Sequence, residues 1–271
     1  MTNGRMPSLF VCHGGGPFPL MTPPMGGPGL TEHLRGIAKQ PPSTPKAILI
    51  ISAHWEEGPE LAVTSSDRPE MLFDYYGFPQ EYYDLKYPAP GDPALARRVQ
   101  SLLTAGGHPT KLDMQRGFDH GVFVPLLLAY PEAAIPVVTL SLHASLDPQI
   151  HLSMGRALAP LRDEGVLLVA SGISFHNMRA FQMSGDTGRG PPAGAAFDAA
   201  LVAAVTNPDL ATRHDALARW TALPEARHCH PREEHLLPLL VAAGAAHEGE
   251  PATRTFGEAY LGAACSGFRF G

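Results

Sequence analysis

A chain of 271 residues with 44% hydrophobic content is long enough to close a sizeable core, so a globular fold is expected. Its formal net charge of -6, from 20 basic and 26 acidic residues without a long single-sign run, gives no footprint for nucleic acid or an anionic membrane and favours a small-molecule partner. Three cysteines without zinc-finger spacing argue against a disulfide scaffold, and neither a basic-then-apolar leader nor a membrane-length apolar run is evident, so a soluble cytoplasmic protein is expected.

The first apolar run, residues 9–12, breaks at His13-Gly14-Gly15-Gly16-Pro17, where glycines admit backbone conformations that a strand interior disfavours. It reads as a strand running into a loop. Residues 47–53 are continuously apolar and rich in β-branched side chains, as in a parallel strand buried on both faces, and deliver His54-Trp55-Glu56. Helical spacing follows over 93–103 and again after His120. Residues 135–142 read as a strand ending at His143, 150–162 as a helix, and 166–172 as a strand leading through Ile173-Ser174-Phe175 to His176. Helices are predicted over 195–205 and 232–243. Strands alternating with helices imply an α/β fold with a mostly parallel central sheet and helices on both faces. The Pro/Gly-rich stretches 14–29, 41–45 and 185–194 read as active-site or surface loops, leaving residues 1–271 as a single domain without an internal repeat.

Ligands of parallel sheets bind outside the carboxyl ends of strands, where His13 and His54 are expected to lie. Neutral imidazole suits zinc and ferrous iron, so this pair reads as two ligands of one catalytic metal. A third ligand is expected from His230-Pro231-Arg232-Glu233-Glu234-His235, with His235 the choice. Glu233 is expected to complement a helix N-terminus, while Glu234 stays open between that role and the site. Gly117-Phe118-Asp119-His120-Gly121 sets an ionisable pair between glycines; Asp119 reads as an N-cap and His120 as a general acid/base. His176 is a second acid/base or a further ligand, and His143 ranks below it. Phe18, Trp55, Tyr75, Tyr76, Phe78, Tyr82 and Tyr83 fit either a planar-ligand pocket or ordinary packing.

Several segments together carry a family resemblance: His13-Gly14-Gly15, Ser52-Ala53-His54-Trp55, Gly77-Phe78-Pro79, Tyr87-Pro88-Ala89-Pro90-Gly91, Gly117-Phe118-Asp119-His120-Gly121, Ser171-Gly172 with His176-Asn177, and Glu234-His235 with Leu237-Pro238-Leu239-Leu240. The chain resembles the class III extradiol ring-cleavage dioxygenases, in the single-chain branch similar to DOPA 4,5-dioxygenase. The resemblance implies a metal held by His13, His54 and His235, with His176 a ligand or acid/base and His120 beside the substrate. It also implies Fe(II) for activity, a small catecholic substrate and O2, and a ring-opened semialdehyde product. The first motif departs from the family's Gly-His-Gly-Ser-Pro form, here Cys12-His13-Gly14-Gly15-Gly16-Pro17, which leaves the ring substituents open. A third histidine in place of a carboxylate leaves Zn(II) open beside Fe(II). The rival readings are a zinc hydrolase and a non-catalytic metal-binding protein on the same fold, and a homo-oligomer is allowed.

Overall fold

One sheet of eight strands organises the computed structural model, which describes residues 4–181 and 191–271. The strands are β1 (Ser8–Cys12), β2 (Ala47–Glu57), β3 (Leu61–Thr64), β4 (Thr110–Asp113), β5 (Val137–His143), β6 (Val166–Gly172), β7 (Ala252–Tyr260) and β8 (Ala263–Phe270), in the order β4-β3-β5-β2-β6-β1-β8-β7. The central block β5-β2-β6-β1 is parallel, and β1 and β6 are buried along their whole length. Continuous apolar runs follow from having both faces covered. Antiparallel β8 and β7 extend one edge, and β3, antiparallel to β5 and parallel to β4, extends the other.

The helices are α1 (Pro28–Gly36), α2 (Pro93–Ala105), α3 (His120–Ala129), α4 (Pro148–Leu158), α5 (Pro160–Asp163), α6 (Ala195–Val205), α7 (Leu210–Ala218), α8 (Ala226–Cys229) and α9 (Leu237–Gly244). The α9 helix packs on α4, β1 and β6, while α3 packs on α1, β2 and β6, so helices cover both faces. Glycine allows the α4–α9 approach: a Cβ on Gly155 would lie 2.2 Å from Val241 O, and one on Gly244 2.2 Å from Leu152 O. No helix among the described residues is long and apolar enough to cross a membrane.

Three predicted elements change. Strand β2 continues past residue 53: Ile51 pairs with Leu140 and Glu56 with Leu142, so five steps on β2 match two on β5. The surplus bulges outward, and His54 sits in that bulge, not beyond the strand. The helix expected over 150–162 breaks between α4 and α5, because Pro160 lacks an N–H and its ring crowds the carbonyl four residues back. The helix expected from 232 begins at Leu237, since Pro238 has no N–H to offer the Glu234 carbonyl. Residues 233–236 instead form a turn in which the N–H groups of Leu236 and Leu237 donate to Glu233 O. Helix α6 lies where it was expected. Of the loop expected over 185–194, residues 185–190 lie outside the described residues.

Candidate metal centre

The carboxyl ends of β1 and β6, the β2 bulge and the turn before α9 meet at one point. β1 ends at Cys12, and His13 N–H still donates to Gly172 O, so the chain keeps its register while the side chain turns inward. On the other side of Gly172, Ile173 N–H donates to His235 O at 3.0 Å. A Cβ on Gly172 would stand 2.2 Å from that same oxygen, so glycine is what lets the His235 turn dock against β6.

His13, His54 and His235 are brought together. The Nε2 atoms of His54 and His13 are 3.1 Å apart and those of His54 and His235 3.3 Å, and among the described residues the three form one group able to hold a metal ion. Their outer nitrogens define the tautomers. Ser171 Oγ donates to Gly121 O, so it accepts the His13 Nδ1–H, and Glu234 Oε1 accepts the His235 Nδ1–H at 2.9 Å. Two Nε2 lone pairs therefore point at His54 Nε2, which carries one hydrogen at most. Nitrogens about 2.0–2.1 Å from a shared ion, at angles of about 90–109°, stand about 2.9–3.4 Å apart. The observed separations fit, and a cation satisfies all three lone pairs.

The electrostatics favour the neutral form of all three imidazoles. Burial first, then the neighbouring imidazoles, holds His13 and His54 well below the ordinary histidine range. Burial brings His235 down to about 4, against the upward pull of Glu234. Burial pushes the Glu234 carboxyl up, but hydrogen bonds from His176 and His235 overcome it and leave it below the usual carboxylate range.

His120 flanks this group, its ring centroid 4.0 Å from that of His54. Its Nδ1–H donates to Asp74 Oδ1 at 2.7 Å and its backbone N–H to the same oxygen at 3.0 Å. Asp74 Oδ2 is also 3.5 Å from His54 Nδ1. His176 stacks on His235 with centroids 3.5 Å apart and donates from Nδ1 to Glu234 Oε1 at 3.0 Å, so it falls in a second group with Glu234 and His235. His143 instead bonds Ser145 Oγ and does not line the cavity, and Glu233 pairs with Arg227. Asp119 does occupy the N-cap position of α3, but its carboxylate makes no capping bond: Ser52 Oγ and Arg116 Nη2 donate to it instead. Burial raises its pKa.

His54, Asp74, His120, His176 and His235 line a cavity of about 290 Å³. Of the aromatic residues singled out in the sequence, Phe18, Tyr75, Tyr76 and Phe78 line it, while Trp55, Tyr82 and Tyr83 do not. Sequence reasoning missed Asp74 and the hydrogen-bonding part of Ser171. The available signal for Asp74 was a lone carboxylate inside the aromatic run of residues 73–78.

An α/β sheet that gathers three buried imidazoles at one end of its central strands has the donor set of an enzyme that uses a metal ion. The chain belongs to the family of the catalytic LigB subunit of aromatic ring-opening dioxygenase, a class III extradiol family of metal-dependent enzymes, whose model matches residues 24–269. It is 40% identical to "Dioxygenase tasH" of Hapsidospora irregularis, covering 96% of this chain and 83% of that protein. It is 45% identical to "4,5-DOPA dioxygenase extradiol" of Beta vulgaris, covering 77% of this chain and 76% of that one. Against the protein of the same description from Escherichia coli (strain K12), identity is 39%, covering 93% of this chain and 90% of that one. The crystal structure of an uncharacterized protein from Escherichia coli K12 superposes with a TM-score of 0.80 at 32% identity, covering 98% of this chain and 100% of that one.

Proposed function

We propose that residues 1–271 act as one catalytic domain that opens a catechol ring beside its two hydroxyls, consuming O2 and releasing a semialdehyde. The observation that carries the reading is the convergence of the Nε2 atoms of His13, His54 and His235 beside an aromatic-walled cavity that His54 and His235 line, with His120 anchored by Asp74 next to them. His13, His54 and His235 hold the metal, Fe(II) in the active protein and Zn(II) as an occupant inert to O2. When bound, the metal supplies a Lewis acid for the ring oxygens and an electron path between ring and O2.

The rest of the work falls to the chain. With its Nδ1–H committed to Asp74, His120 keeps an Nε2 lone pair to take the proton of a substrate hydroxyl. His176 lines the cavity with its Nδ1 engaged by Glu234, and we assign it the return of a proton to the opened product. The walls exclude water and hold the ring by its faces and edges. Three buried free cysteines suit a reducing, cytoplasmic setting.

The test is anaerobic reconstitution with Fe(II), then a broad catechol panel and O2. O2 uptake with a yellow ring-opened product is expected, and its absence across the panel sinks the reading. A set of three imidazoles also serves zinc hydrolases. Metal analysis of protein purified without added metal, paired with O2 uptake, separates the two, because a hydrolase is indifferent to O2.

A further inference from the structure

Above the imidazole floor, the cavity offers a substrate apolar surface in nearly every direction. Phe18 and Phe78 meet edge to face at 5.7 Å, and Phe78 meets Tyr75 in the same way at 5.3 Å. Two of the three tyrosine hydroxyls of the described wall have partners within the protein. Tyr75 O–H donates to Tyr82 O at 2.6 Å, and Tyr260 Oη accepts the Gly15 N–H at 3.0 Å. Apart from histidines, Asp74 is the one ionisable acid or base other than tyrosine among the described lining residues, and His120 occupies its Oδ1 twice.

The apolar surface continues outward. Tyr76, 92% exposed, and Met178, 64% exposed, both line the cavity, and they are two of the four large hydrophobic side chains left exposed among the described residues. The other two, Leu112 and Met114, lie away from the cavity, whereas Tyr76 and Met178 stand at the rim of one opening. A volume of about 290 Å³ lies at the small end of ligand pockets, about 300–1,000 Å³, and suits one ring with a short substituent, so a longer chain must leave over that rim.

We infer that the substrate is a catechol carrying an uncharged, apolar substituent that passes over Tyr76 and Met178, selected over catechols carrying a carboxylate. The inference rests on the ring-cleavage reading and specifies its substrate class. A carboxylate carried outward along this wall exchanges water for aromatic faces and gains no counter-charge from the described lining residues other than the histidines at the far end. An alkyl chain gains at each methylene that leaves water, about fourfold in affinity.

The experiment uses Zn(II)-loaded protein, chosen so that O2 turnover does not consume the ligand, titrated with para-methyl, para-propyl and para-pentyl catechol and with a catechol bearing a propanoate chain. Affinity is expected to rise about fourfold per methylene up to propyl. The propanoate is expected to bind about 100-fold more weakly than the propyl compound. Tyr76→Ser and Met178→Ser, both at exposed positions that spare the core, are expected to flatten the gain from propyl to pentyl. A propanoate that binds as well as the propyl compound, a flat chain-length series in the unsubstituted protein, or no catechol binding overturns the inference. O2 uptake by Fe(II)-loaded protein is read separately: the chain-length order without O2 uptake supports the apolar site and sinks ring cleavage alone.

Discussion

Replacing Asp74 by Asn tests whether the carboxylate does more than fill space. The Asn side chain keeps the shape and one acceptor oxygen but removes the charge that His120 Nδ1–H meets at 2.7 Å. Hydrogen bonds to a charged group contribute about 1.5–3 kcal/mol against about 0.5–1.5 for neutral ones, so about 1–2 kcal/mol of orientation and charge stabilisation is at stake. If all of it acts in the transition state, kcat/KM falls roughly 5–30-fold. Removing the proposed base in His120→Ala should cost more, about 10²–10⁴-fold. Metal affinity should stay within about twofold, because Asp74 reaches His54 Nδ1 only at 3.5 Å, too long for a strong bond. The assay is O2 uptake by Fe(II)-loaded variants, with metal affinity read by chelator competition. The double variant Asp74→Asn/His120→Ala should be no slower than His120→Ala alone, since the carboxylate then has no base to position. Additive losses, or an Asp74→Asn enzyme at the unsubstituted rate, would refute the reasoning.

Glu234→Gln should weaken metal binding about 10–100-fold, read by chelator competition, because the carboxylate orients His235 and supports its basicity. Unchanged affinity would show that the His235 ring is held by packing alone. Gly172→Ala should destabilise the protein by about 1–3 kcal/mol in denaturant titration and lower metal affinity, since the new Cβ meets His235 O at 2.2 Å and must push the ligand turn away. A stable variant with normal metal binding would contradict the packing described. The metal-free protein should lose stability on acidification through His151, whose pKa burial lowers from 6.5 to about 4. The neutral folded form makes this contribution complete above pH 6.5, and it is lost as pH falls towards 4, about 3 kcal/mol in all. His151→Gln should therefore show a smaller drop in denaturation midpoint between pH 7 and about pH 4.5; an equal drop places the acid sensitivity elsewhere.

Two levels of information met at the site. Apolar runs identified β1, the first part of β2, β5 and β6, and with them the positions of His13 and His54, because burial on both faces writes itself into consecutive residues. Short β3 and β4 carry four residues each, and β7 buries only Ala252, Phe256 and Tyr260, so none of them showed a comparable run. Pro160 and Pro238 were visible in the sequence, yet their effect depended on which carbonyl each ring would crowd or leave without a donor.

The histidines themselves were legible from residue type and place in the chain: strand-end position paired His13 with His54, donor density added His235, and the family resemblance implied the same three. Tertiary structure alone decided their states. Asp74 lies 46 residues before His120, Ser171 lies 158 residues after His13, and the two Nε2 contacts of His54 span 41 and 181 residues. No local pattern encodes such pairings, because a hydrogen bond depends on the path of the whole chain, whereas hydrophobic periodicity depends only on the element that carries it. Local sequence therefore named the buried central strands and the imidazoles on offer. The fold decided which nitrogen of each imidazole is left bare, and what faces it.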